Sequence, residues 1–77
     1  MQDTEARIVI LPDICNGRPI VRGTRISVQT ILEFLGAGDS IEEILDAYPS
    51  LTRDDILASL RYSSRLMGNR YYIARVA

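Results

Sequence analysis

Ser40-Ile41-Glu42-Glu43-Ile44-Leu45-Asp46-Ala47-Tyr48-Pro49-Ser50-Leu51-Thr52-Arg53-Asp54-Asp55-Ile56 decides the fold, because it closes one helix and opens the next around a single short turn. Ser40 and Glu43 stand at capping-box spacing, and Ile41, Ile44, Leu45 and Tyr48 repeat at i, i+3, i+4 and i+7 until Pro49 stops the helix. The next helix starts at Thr52. Its hydroxyl can cap, Asp54 and Asp55 favour the positive end of the helix dipole, and Leu51 can staple onto Ile56. A helix of roughly two turns, a three-residue turn and a longer helix have helix-turn-helix proportions.

Downstream, Ile56, Leu57, Leu60 and Met67 predict one apolar face with Ser63 and Ser64 between them, closed by Gly68-Asn69. At 100° per residue, Asp54, Ala58, Arg61, Tyr62 and Arg65 then fall on the opposite, solvent side. Upstream, Val28, Ile31, Leu32 and Leu35 predict a further helix, capped by Ser27 or Thr24 and stopped at Gly36 and Gly38, which closes a trihelical core. Before it, Arg7-Ile8-Val9-Ile10-Leu11 reads as a strand ended by Pro12-Asp13, and Asn16-Gly17-Arg18-Pro19 as a turn. Ile20-Val21 and Thr24-Arg25-Ile26 can extend around Gly23. The expected fold class is therefore mainly α, a trihelical helix-turn-helix with a short N-terminal β arm. A lone hairpin is marginal in water, so the arm should pack on the helices or on a second chain.

The 77 residues make one domain, 1–77, divided into the arm (7–26), three helices (27–68) and a tail (69–77). A chain this short rarely gains more than a few kcal/mol from one core, so association, most simply as a homodimer, is expected. Its longest apolar run, Ile8 to Leu11, is far below the 20 or so residues of a membrane helix, and Cys15 is alone, so a cytoplasmic protein is expected. The chain has no histidine, one cysteine and no glycine-rich phosphate loop, so neither a metal nor a cofactor is expected. Glu42, Glu43 and Asp46 read as a solvated face, and the expected protein is not an enzyme.

Charge is segregated. Residues 39–55 carry six acids against Arg53, whereas residues 56–77 carry Arg61, Arg65, Arg70 and Arg75 and no acid. Arginine forks pair with phosphate and carboxylate alike, so this basic end suits nucleic acid or an acidic protein. Asp54 and Asp55 in the first turn of the last helix count against insertion of that end into DNA. Tyr62 beside Arg61 and Arg65 suits a binding surface or the covering of a helix flank. Arg70, Tyr71, Tyr72 and Arg75 make the tail a candidate partner-binding segment.

Gly17-Arg18-Pro19-Ile20-Val21-Arg22-Gly23-Thr24-Arg25-Ile26 resembles the signature of the prokaryotic domain-of-unknown-function family 433. Ile31-Leu32, Gly38, Ser40 to Leu45 and Tyr48 to Thr52 with Asp54-Asp55-Ile56 resemble its later motifs in order, so the likeness spans roughly residues 8–67. Ser27 and Ala47 depart from the pattern. The resemblance implies a homeodomain-like or winged-helix-like domain, often dimeric, in proteins regarded as antitoxins and encoded beside PIN-type nuclease toxins. Arg22 and Arg25 could clamp carboxylates of the acidic segment or bind phosphates. The leading expectation is an antitoxin-like protein that binds a nuclease toxin and its own promoter DNA. The alternatives are a DNA-binding regulator using Arg22, Arg25, Arg53, Arg61 and Arg65, or a homodimeric interaction module with neither role.

Overall fold

A computed structural model of the chain describes residues 7–68. Two short antiparallel strands, β1 (Ile8–Ile10) and β2 (Pro19–Val21), precede three helices, α1 (Val28–Gly36), α2 (Ile41–Ala47) and α3 (Arg53–Met67). The strands pair with Ile8 opposite Val21 and Ile10 opposite Pro19, and a further bridge joins Ile20 to Ser27. Their connection passes through Cys15, Asn16 and Gly17, all with positive φ (53°, 57° and 75°), which turns the chain back within a few residues.

The R-G-T-R segment is the hinge between sheet and helices, and Thr24 is its pivot. Its hydroxyl donates to the Val21 carbonyl at 2.8 Å and accepts from the Ile26 amide at 3.0 Å, while Gly23 takes a φ of +80°. These bonds return the chain onto β2, where the Val21 amide donates to the Ile26 carbonyl, and deliver Ser27 as the cap of α1. The caps follow the sequence closely. Ser27 accepts from the Thr30 amide, Ser40 and Glu43 complete a capping box, and Thr52 and Asp55 complete a second.

The core joins Ile8, Val21, Val28, Ile31, Ile44, Leu51, Ile56 and Ala58, so the arm packs on the helices as expected. Phe34 and Tyr48 meet edge to face at 5.8 Å where α1 passes the end of α2.

The face of α3 differs from its apolar periodicity. Asp55, Ile56, Ala58 and Ser59 are the buried residues of this helix, whereas Leu60 and Met67 are 39% and 63% exposed. Ala58, expected in solvent, is fully buried, and Tyr62, expected beside it, is half-buried against the core. The reason is close approach: Ala58 and Ser59 are small, and the Ser59 hydroxyl is satisfied by the Asp55 carbonyl at 2.9 Å, so no polar group is left bare. A leucine at either position would hold α3 off its neighbours. The helix is therefore rotated relative to the leucine pattern, and large apolar side chains point outward.

Candidate functional site

Arg7, immediately before β1, reaches the start of α3 and donates to the Asp55 carboxylate at 2.9 Å, with Asp54 3.7 Å away. Asp55 also accepts from the Thr52 amide at 2.9 Å, so one buried carboxylate both caps α3 and ties it to the arm. Arg7 thus clamps the acidic segment, a role for which the sequence offered Arg22 and Arg25. Those two lie exposed in the β2–α1 turn, with the Arg22 amide bonded to the Arg7 carbonyl at 2.7 Å and the Arg25 carbonyl accepting from Cys15 Sγ at 3.2 Å. Arg53 opens α3 and stands 3.6 Å from Glu42, both largely in solvent. The first turn of α3 is accordingly a carboxylate turn already engaged with Arg7.

Arg61 and Arg65 are exposed one turn apart on α3 and frame a shallow depression with Ser64. Tyr62 points to the other side. It lines an open groove of about 360 Å³ where the last turns of α3 leave α1, together with Pro19, Val28, Leu32 and Leu66. Leu66 stays 47% exposed there, and Arg18 stands at the rim, where it donates to the Gln29 side-chain oxygen at 3.1 Å. Gln29 in turn donates to Glu33 at 3.2 Å.

The sequence singled out Tyr62 but not its groove mates. Leu66 lies four residues beyond it on the core side of the helix, and that spacing was the available signal. The structure does not gather the candidate residues into one site: Tyr62 lines the groove, Arg61 and Arg65 lie outside its lining, and Arg22 and Arg25 sit on the arm. Arg70, Tyr71, Tyr72 and Arg75 lie outside the described residues. Among the described residues no group of three or more His, Cys, Asp or Glu side chains is placed to hold a metal ion, and no helix is long and apolar enough to cross a membrane.

The fold and sequence are shared with other proteins. The crystal structure of a DUF433 member protein from Anabaena variabilis ATCC 29413 superposes with a TM-score of 0.78 at 33% identity, over 87% of this chain and 66% of that one. The uncharacterized protein y4eO of Sinorhizobium fredii (strain NBRC 101917 / NGR234) is 48% identical over 50 residues. Those residues are 64% of this chain, which spans only 23% of the length of that relative. The model of the family described as protein of unknown function (DUF433) matches residues 8–63, from β1 through most of α3, and the chain belongs to that family.

Proposed function

We propose that this domain is a non-catalytic, antitoxin-like protein whose α1–α3 groove takes an apolar segment of a nuclease-type toxin, with promoter DNA as a second ligand. In this reading α2, the turn before Thr52 and α3 form a helix-turn-helix used mainly as a scaffold. The groove carries the argument: Val28, Leu32, Tyr62 and Leu66 offer a concave apolar surface, and an aromatic group beside an arginine is the composition of binding hot spots. Arg18 at the rim bonds only a neutral amide oxygen in the contacts it makes with Gln29, which leaves guanidinium donors for a carboxylate. Nucleases that cut through bound divalent cations hold them with carboxylates, so a partner of that class brings acidic groups to its surface.

A domain that reads DNA first, through the start of α3, is supported less well. Asp54 stands exposed in that turn and would face phosphates. The test is affinity purification of the tagged full chain from its native cells, beside a Leu66→Asp variant. Leu66 is half in solvent, so the variant folds while its groove becomes charged. Recovery of a small nuclease with the parent chain and its loss with the variant supports the reading. Recovery of DNA alone replaces it with the regulator.

A further inference from the structure

We propose that the cavity between α1 and the end of α2 is a second binding site, one that takes an arginine side chain from an exposed segment of a protein partner. This goes beyond toxin binding. At 100° per residue its α1 residues lie roughly 140° around the helix from those of the α1–α3 groove, so either site can fail without the other.

Thr30, Glu33, Phe34 and Ala37 recur at i, i+3, i+4 and i+7 along one side of α1 and its cap, and with Asp39 and Tyr48 they line a cavity of about 350 Å³. Phe34 and Tyr48, the edge-to-face pair, are half-buried against the core and supply its apolar walls. Glu33, which is exposed, and Asp39, which is half-buried, supply two carboxylates. The volume is near the lower bound of ligand pockets, roughly 300–1,000 Å³, and suits one inserted side chain.

Charge and ring chemistry together select the occupant. Among the described residues neither Glu33 nor Asp39 forms an ion pair, because the arginine pairs go to Asp54, Asp55 and Glu42. Glu33 accepts a hydrogen bond from the neutral Gln29 amide on one oxygen, which leaves the second for another donor. Both helices end here, at the caps Ala37 and Tyr48, and neither has a basic residue in its last turn. Their negative dipole ends therefore add to the two carboxylates. Such a set repels phosphate, which excludes nucleic acid from the cavity. Two carboxylates also fall short of the oxygen ligands that a hard cation takes, and among the described residues no group of three His, Cys, Asp or Glu forms. The cation that suits both an aromatic wall and a carboxylate is guanidinium, which stacks flat on rings and donates through a planar fork, whereas the lysine ammonium is a compact, strongly hydrated charge. Because Glu33 is exposed, a small free cation would stay largely hydrated here. An arginine carried on a peptide also covers the exposed end of α1 at Gly36 and Ala37.

Nuclear magnetic resonance titration of the isotope-labelled full chain with the peptide acetyl-Gly-Gly-Arg-Gly-Gly-amide tests the proposal. The amide resonances of Phe34, Ala37, Asp39 and Tyr48 are expected to move together and to saturate with a Kd of about 1–5 mM. The same peptide with citrulline, which is neutral and of the same shape, is expected to bind about tenfold more weakly, and the lysine peptide about threefold more weakly. Glu33→Gln and Asp39→Asn keep side-chain shape, and each is expected to weaken binding about threefold, with about tenfold for the two together. An arginine peptide that moves none of these resonances at about 20 mM, a citrulline peptide that binds as well, or a double variant that binds like the parent overturns the proposal. Guanidinium ion that binds as tightly as the peptide also overturns it, and assigns the cavity to a small cation. Movement of the same resonances by Arg70→Gln/Arg75→Gln in the peptide-free chain overturns it in favour of the chain's own tail.

Discussion

Replacing Arg7 by Ala removes the contact that ties the arm to α3, and the structure sets the size of the effect. Asp55 keeps its bond from the Thr52 amide but loses the guanidinium at 2.9 Å, and its side chain is only 10% exposed. Breaking a fully buried ion pair costs about 3–5 kcal/mol, whereas an exposed pair is worth about 1 kcal/mol or less. The Arg7 side chain is 33% exposed and the cap survives, which places the loss between these limits, at about 2 kcal/mol. For a domain of this size that is a fall in Tm of roughly 8–16 °C. Asp55→Ala adds loss of the capping-box acid, for a total of about 3 kcal/mol. Urea unfolding followed by circular dichroism on the parent, both single variants and the double variant gives the coupling energy directly, expected at about 1–2 kcal/mol. Because the pair is partly buried, most of that coupling should persist in about 0.5 M salt. A coupling below about 0.3 kcal/mol, or an Arg7→Ala variant as stable as the parent, would refute the assignment of Arg7 as the clamp.

Thr24→Val keeps shape but deletes both bonds of the hinge, so a loss of about 1–2 kcal/mol is expected in the same unfolding assay. Gly23→Ala meets no atom within 4 Å but must hold a φ of +80°, so thermal unfolding should show a cost of about 1 kcal/mol from backbone strain alone. Ala58→Leu should overpack the face of α3 and cost about 1–3 kcal/mol, whereas Leu60→Ala should change the monomer's stability by less than about 0.5 kcal/mol. The reverse order would return the helix to the orientation of its leucine pattern.

What could be read from sequence was local. Ser40 with Glu43, Thr52, Pro49 and Gly38 act within one turn of the chain, and each does in the structure what its chemistry allows at that spacing. The face of α3 was not legible, because a count of leucines gives no weight to Ala58 and Ser59, whose smallness is what lets the helix approach. Arg7 was missed for a related reason. It meets Asp55 across 48 residues of sequence, and only the pairing of β1 with β2 brings it there. The groove is legible in part: Tyr62 and Leu66 share a helix face, but Pro19 and Val28 join them only once the hinge at Thr24 has folded.

The most direct test of the proposed function is cleavage of RNA by a nuclease recovered with this chain in the affinity purification, titrated with the purified chain. The account predicts that about one equivalent abolishes cleavage and that the Leu66→Asp variant, folded by circular dichroism, leaves it intact. Cleavage unaffected by the parent chain, or inhibition equally strong with the variant, would contradict the assignment of the α1–α3 groove as a toxin-binding site.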